Sequence, residues 1–373
     1  MSSHIDEHRR YVTDEDRVAA FDRAIAESVH PGDVVVDLGS GTGILGLLAC
    51  RAGARRVYSI EQTGMIEVAR AICAANGFSD RVVFLNACSS DVDLPELADV
   101  VVADQIGYFG YDAGIVRCFA DARDRFLKPG GTLIPGRIDL CVAAVEGPHL
   151  MAPVASWERR SAGFDMRAAR AWAVNTSYAR VLSRDQLLTD PGAPFSVDLS
   201  APVPSVFTFA TQSVARRSGT LHGVAGWFSA SLSATVTLSN LPGAGHTVDR
   251  CHVFFPIDRP IEVKPGDEIR IGMYIIHDQM LVNWIVEVNG ERFEHSTFKG
   301  LIVSREELRR MKHDHVPRLT PLGRVRRDVL ALCDGERPVK AITGDVWCRH
   351  PGLFRSPDDA DAFVARVLAE NGE

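Results

Sequence analysis

A run of apolar residues that breaks into a glycine-rich turn constrains the fold of this chain more than any other feature. Residues 34–43 read VVVDLGSGTG, with Asp37 between the valines and the glycines. An apolar strand without polar alternation is typical of a parallel sheet covered on both faces. The glycines allow a tight turn close to a ligand, and a helix from Ile44 would present free N–H groups to it. The segment therefore predicts a ligand site at a strand end.

The spacing of the glycines separates two classes of nucleotide-binding fold. The dinucleotide fingerprint is G-x-G-x-x-G, whereas Gly39, Gly41 and Gly43 give G-x-G-x-G. This pattern resembles motif I of the class I S-adenosylmethionine (SAM) methyltransferases. The next apolar run, residues 56–60, is followed by Glu61, where an acid accepts ribose hydroxyls in α/β folds. We therefore expect SAM as the cofactor.

Composition excludes several classes of protein. A length of 373 residues predicts two or three domains, and a formal charge of -7 argues against a nucleic-acid-binding surface. The eight cysteines form no C-x-x-C pair and no cluster with histidine, so we expect reduced cysteines and no metal site. We see no apolar leader and no run of membrane-spanning length, which predicts a cytoplasmic enzyme.

Strands and helices are predicted to alternate through the first third of the chain. The expected order is a helix at 13–29, then β-α-β-α-β over residues 34–38, 44–50, 56–60, 65–75 and 82–85. The sheet is therefore parallel, and its ligand lies at the carboxyl ends of the strands. Arg17 lies on the first helix, and its guanidinium suits a carboxylate. Ser89 and Ser90, after the third strand, are placed to contact an adenine ring.

The loop at residues 104–112 is the candidate catalytic segment. It follows the apolar strand 99–103, and Asp104 and Asp112 bracket its glycines and aromatic residues. Central strand ends beside the cofactor turn are where α/β folds place their chemistry. An alternative interpretation makes Asp112 the N-cap of a helix at 115–126.

The order of motifs resembles the protein arginine methyltransferases. The resemblance covers roughly residues 8–300 and rests on matching segments at 8–17, 36–45, 52–54, 60–61, 94–95, 104–112, 122–127, 131–135, 157, 163–166, 253–256 and 263–269. It implies that Arg17 holds the SAM carboxylate and that the Ile134-Pro135 bond is cis. The cofactor-binding set implied by the turn and the family is Arg17, Asp37, Gly39, Ser40, Gly41, Gly43, Ile44, Leu45, Glu61, Gln62, Ser89, Ser90 and Asp104.

The catalytic residues expected from the same resemblance are Asp104, Asp112, Tyr108 and His8. The family carries two glutamates where this chain has Asp104 and Asp112, and its Thr-His-Trp loop corresponds here to residues 247–249, beginning at Thr247. Because each aspartate reaches less far than a glutamate, the pocket is expected either to be wider than an arginine clamp or to be closed by Arg250 or His252. We expect Arg250 to pair with Asp14.

The pattern changes to short strands after residue 136. Runs at 138–145, 205–209, 224–233, 235–238, 252–255, 268–276 and 281–288 are rich in β-formers and separated by turn residues, which predicts a sandwich or barrel. By resemblance it is a β-barrel with a dimerisation arm, here at about 151–180. The expected domains are thus 1–135, Rossmann-like and SAM-binding, and 136–312, the barrel.

A small C-terminal module is expected at 317–373. Pro317 and Pro321 lie in a basic segment that we interpret as a linker, and short apolar runs follow it. The module resembles the small winged-helix modules that recognise precursor peptides. A plain helical cap on the barrel is the alternative.

These observations predict a homodimeric SAM-dependent methyltransferase of α/β class. The reaction expected is transfer of a methyl group to a guanidino or other nitrogen of a peptide or an amino-acid-derived substrate. Two alternatives stay open at this point: N- or O-methylation of a small-molecule natural product, and a catalytically silent SAM-binding scaffold.

Overall fold

The computed structural model describes residues 4–243 and 248–371, so Thr247 of the expected loop lies outside the described residues. The chain divides into two compact units, Met1–Leu301 and Ile302–Glu373. In the described ranges no helix is long and apolar enough to cross a membrane.

The first part of the larger unit is a parallel sheet flanked by helices. Its elements are α1 (His4–Thr13), α2 (Glu15–Ser28), β1 (Val34–Leu38), α3 (Ile44–Ala52), β2 (Arg56–Ile60), α4 (Met65–Ala75), β3 (Val82–Leu85), β4 (Ala98–Ala103), α5 (Ile115–Arg125) and β5 (Leu127–Ile134). The strand order is β3-β2-β1-β4-β5, and all pairs are parallel. The order reverses between β1 and β4, so the crevice for a ligand opens at their carboxyl ends.

Two antiparallel sheets form the barrel domain that follows. Its strands are β6 (Arg137–Val145), β7 (Arg160–Ser161), β8 (Phe164–Asp165), β9 (Tyr178–Arg180), β10 (Gly192–Asp198), β11 (Val206–Val214), β12 (Gly219–Ser231), β13 (Thr237–Ser239), β14 (His252–Val263), β15 (Glu268–Ile276), β16 (Leu281–Val288) and β17 (Glu291–Ser296). One sheet has the order β10-β6-β12-β14-β9, with β13 on β12, and the other is β11-β15-β16-β17.

The predicted arm between β6 and β9 consists of short elements. It contains the hairpin β7-β8 and the single-turn helices α6 (Ala152–Ala155) and α7 (Arg170–Ala173). A further short helix, α8 (Thr297–Gly300), ends the larger unit.

One apolar core joins the parallel sheet to the barrel. Phe109, in the loop after β4, packs against Phe255 of β14 with ring centroids 5.8 Å apart. Gly226 of β12 makes room for Phe109, because a Cβ there would lie 2.8 Å from the ring. The Ile134-Pro135 bond between the two parts is cis, as expected.

The second unit is helical over its described residues. It contains α9 (Arg305–Arg310), α10 (Pro321–Ala331), α11 (Val339–Arg349) and α12 (Pro357–Asn371) around their own apolar cluster. Residues 302–371 contain no strand, so this unit lacks the strands of a winged helix. Pro321 does not lie in a linker: it is the first residue of α10, where its missing N–H costs nothing, and Thr320 caps the helix.

Candidate functional site

The glycine turn after β1 is covered by helix α1. Gly39 and Gly41 have φ values of 64° and 54°, which favour glycine. A Cβ on Gly41 would lie 2.5 Å from the ring of His8, so the imidazole rests directly on the turn. His8 thus lies where the sequence places it, in the cleft beside the turn.

Asp37 is fully buried beneath the turn. Its Oδ2 accepts a hydrogen bond from Gly46 N at 2.8 Å, whereas Oδ1 has no partner. Burial raises the pKa of Asp37 to about 7, because the ionised carboxylate has lost its hydration.

Glu61 is buried at the end of β2 and holds the turn from the other side. Its Oε2 accepts from Gly41 N at 3.1 Å and its Oε1 accepts from Thr63 N at 2.8 Å. Each carboxylate oxygen has room for a second donor. The side chain can therefore brace the turn and still accept two hydroxyl groups.

Asp104 lies at the end of β4 between two arginines. Its Oδ2 accepts from Arg17 Nε and from an Nη of Arg250, each at 2.5 Å. The three side chains are only 6–8% exposed. Burial opposes ionisation, but Arg250 and Arg17 hold the pKa of Asp104 below its usual range. Arg17 lies at the site, as the sequence predicts. Its guanidinium contacts Asp104, a partner that the sequence did not predict.

Arg250 pairs with Asp104 and not with Asp14, the partner expected from the sequence. Asp14 instead caps α2, accepting from Arg17 N at 3.0 Å, and accepts from Asp249 N at 2.9 Å. The Arg250 guanidinium also donates to Gly107 O at 3.5 Å and lies over the Phe228 ring, 5.9 Å from its centroid.

Asp112 shapes the candidate catalytic loop from within. Its carboxylate accepts from Tyr108 N at 3.0 Å and from Phe109 N at 2.8 Å. The N-cap of α5 is Gly114, not Asp112, so the capping alternative is wrong. Tyr108 is 40% exposed.

Asn240 is a site-supporting residue that sequence reasoning missed. It is 1% exposed, and it donates to Tyr108 O at 2.9 Å and to Cys251 O at 2.8 Å while accepting from Phe228 N at 2.9 Å. It thereby fixes both the candidate loop and Cys251, the residue after Arg250. No sequence signal marks it, because an asparagine after a short strand normally indicates a turn.

His252 faces away from Asp104. Its Nδ1 accepts from Leu182 N at 3.1 Å and lies 3.2 Å from Arg180 O, on the neighbouring strand. Burial lowers the pKa of His252. Of the two residues expected to close the pocket, Arg250 is the one near Asp104.

A cavity of about 220 Å³ opens at the carboxyl ends of β1 and β4. Its lining is His8, Tyr11, Arg17, Gly39, Ser40, Gly41, Thr42, Ile44, Leu45, Asp104, Gln105 and Ala113. Gly43 is the N-cap residue of α3 and is not part of this lining. Gln62 is exposed, Ser89 O accepts from Arg125, and Ser90 Oγ bonds Asp91. These last three predicted residues do not line the cavity.

Buried polar atoms without a partner mark the same place. Among the described residues they include Ser40 Oγ and Asp104 Oδ1, both in cavity-lining residues, together with Asp37 Oδ1 beneath the turn. Orphaned buried polar atoms are rare and require an explanation. A bound polar ligand would supply the missing partners.

Two segments of the chain match known families. Residues 20–138 match the family described as ribosomal protein L11 methyltransferase, and residues 137–281 match the arginine methyltransferase oligomerization subdomain. The two matches meet at the junction between the parallel sheet and the barrel. The chain is arginine methyltransferase-like.

Relatives and solved structures agree with this assignment. The chain is 30% identical over 244 residues to a probable protein arginine N-methyltransferase 6 of Arabidopsis thaliana, covering 62% of the chain and 55% of the relative. It is 30% identical over 200 residues to protein arginine N-methyltransferase 1 of Dictyostelium discoideum, covering 53% and 59%. The arginine methyltransferase-like chain thus spans less than two thirds of these relatives.

The fold is also that of solved arginine methyltransferases. The Trypanosoma brucei PRMT1 enzyme–prozyme heterotetrameric complex with AdoHcy matches with a TM-score of 0.71 at 19% identity, over 78% of this chain and 96% of that one. Arabidopsis thaliana protein arginine methyltransferase 10 matches with a TM-score of 0.66 at 22% identity, over 78% and 97%.

Proposed function

We propose that this chain is a SAM-dependent N-methyltransferase. The observation that carries the proposal is the cavity at the switch point of the sheet, which is lined by the glycine turn and by Ser40 and Asp104, each with a buried oxygen that has no partner. Glu61 is bonded to this turn through Gly41 N. The similarity to arginine N-methyltransferases supports it.

The residues present fit SAM. Glu61 has acceptor capacity for two ribose hydroxyls. Arg17 donates to Asp104 and Tyr11 O and has further N–H donors for a carboxylate. When bound, SAM supplies an electrophilic methyl group on a positively charged sulfur.

The chain itself has to align the acceptor and receive its proton. Methyl transfer depends mainly on placing a nucleophile with a free lone pair in line with the methyl group. Asp104 is held ionised and has one unpartnered oxygen, so it can accept a hydrogen bond from the acceptor and take up the proton that is lost. His8 rests on the Gly41 turn and lines the cavity.

We also propose a homodimer formed through residues 151–180. Phe164 is 72% exposed and Trp172 is 46% exposed in this segment, which lies inside the matched oligomerization subdomain. Apolar side chains grouped on a surface favour a partner. Light scattering should give twice the mass of the chain at micromolar concentration, and a monomer mass would contradict the dimer.

The substitution Asp104→Asn tests the proposed chemistry, because it keeps the size of the side chain and removes its charge. We expect methyl transfer to fall by roughly 10²-fold, as for loss of a proton acceptor. The measurement is mass spectrometry of peptide, free arginine and metabolite pools incubated with methyl-labelled SAM. Asp190→Asn, on the surface beside Arg216, is the control. Full activity of Asp104→Asn would contradict the role.

A further inference from the structure

One of the two carboxylate oxygens of Asp104 is already hydrogen-bonded to two arginines of the same chain. Oδ2 accepts from both Arg17 and Arg250, and an oxygen with two lone pairs has no room for a third donor there. Oδ1 is buried and has no partner. A guanidinium binds a carboxylate best through two parallel bonds, one to each oxygen. Asp104 can therefore offer an incoming group only one of its two oxygens, which rules out the bidentate pair.

The charge of the cluster also disfavours a cation. Arg250 places a guanidinium group directly against Asp104, and both side chains are only 7–8% exposed. Repulsion between like charges is weakly screened in such a buried place. A cationic acceptor at Asp104 would therefore lie beside the like charge of Arg250.

Arg250 is held in place by several contacts and cannot simply swing aside. It donates to Gly107 O at 3.5 Å and lies over the Phe228 ring. Asn240 fixes the next residue, Cys251, by donating to its carbonyl oxygen at 2.8 Å. Moving the guanidinium away would leave Asp104 buried with half of its pairing, which is costly.

We propose that Arg250 excludes guanidinium acceptors, and that the methyl acceptor is an uncharged N–H group that donates a hydrogen bond to Asp104 Oδ1. This inference rests on the proposed function. It makes Arg250 a specificity-determining residue, which supplies from within the chain the cation that an arginine substrate would otherwise bring.

The test compares two isosteric peptides that differ in charge. Protein loaded with S-adenosylhomocysteine is titrated by calorimetry with acetyl-Gly-Gly-Arg-Gly-Gly and with the same peptide carrying citrulline. Wild-type protein should not bind the arginine peptide in preference to the citrulline one. Arg250→Ala should bind the arginine peptide at least about 10-fold more tightly than wild type does, because Asp104 then offers both oxygens, with no such gain for citrulline.

Matched variants make the result decisive. Arg250→Lys keeps the positive charge and should gain nothing, and Arg250→Gln replaces Arg250→Ala if the smaller side chain prevents folding. Preferential binding of the arginine peptide by wild type, or no gain in the uncharged variant, would overturn the inference. Failure of wild type to bind S-adenosylhomocysteine would overturn the proposed function, and the inference with it. The loading step therefore separates the two failures.

Discussion

At the scale of single residues, Asp37 couples the stability of the fold to pH. Its pKa is about 7 in the folded chain, raised by burial from an ordinary 3.8. Between pH 4 and pH 7 the folded chain keeps a proton that the unfolded chain has released, so the free energy of unfolding falls as pH rises through this window. At 1.36 kcal/mol per pKa unit, the loss is about 4 kcal/mol above pH 7.

Asp37→Asn should remove this dependence, because the amide keeps an oxygen for Gly46 N and carries no charge. We expect the variant to be more stable than wild type at pH 8 by up to about 4 kcal/mol, with the advantage lost toward pH 4. Urea unfolding across this range measures it. Asp99→Asn is the control, and its effect on the pH dependence of stability should have the opposite sign. Asp99 is partly buried, but Lys128 helps hold its pKa low. Identical pH profiles for wild type and Asp37→Asn would contradict the expectation.

Individual site residues were predictable where a short motif fixes them. Asp37, Gly41 and Glu61 follow from strand ends and glycine spacing, which are local features. The Asp104–Arg250 pair was not predictable, because it joins residues 146 positions apart and depends on how β14 begins. The sequence predicted that Arg250 lies near the pocket, but it paired Arg250 with Asp14 instead of Asp104.

At the scale of elements, the loop after β4 owes its shape to a side chain from the barrel. Asn240 links Tyr108, Phe228 and the Cys251 carbonyl from a position that is 1% exposed. An asparagine that satisfies three backbone groups is difficult to replace, since each group left unpaired in the interior costs about 1–3 kcal/mol.

Asn240→Ala should therefore lower the free energy of unfolding by about 3 kcal/mol or more. Chemical denaturation measures the change. Asn283→Ala is the control, because Asn283 lies exposed on β16 and should change stability by no more than about 0.5 kcal/mol. Equal effects of the two substitutions would show that Asn240 does not brace the loop.

Elements with a clear hydrophobic pattern were predictable from the sequence, and the others were not. The parallel strands follow from unbroken apolar runs, and β15 and β16 have the predicted bounds. Strand β14 was predicted only to residue 255 because Pro256 and Pro260 interrupt the pattern, yet the strand continues to Val263. Strand β10 was missed, since its glycine and proline read as turn residues. Helix α1 was missed because it lacks a long apolar face.

At the scale of the whole molecule, the chain comprises a parallel sheet, a barrel that braces the loop after β4, and a separate helical unit. The order of the first two was predictable, because the change from helical to alternating patterns marks it. The N-terminal boundary of the helical unit was not predictable. This unit begins at Ile302 and not near residue 317, because it includes α9, whose sequence is mostly charged.

The central claim is that the cavity at the carboxyl ends of β1 and β4 binds SAM, and calorimetric titration of wild-type protein against Glu61→Ala tests it most directly. Wild type should bind one SAM per chain, and Glu61→Ala should bind it more weakly by about 1–3 kcal/mol, because the hydroxyl groups and Gly41 N lose their acceptor. Glu67→Ala, exposed on α4, should behave as wild type. Absence of binding by wild type, or an unchanged affinity in Glu61→Ala, would contradict the claim.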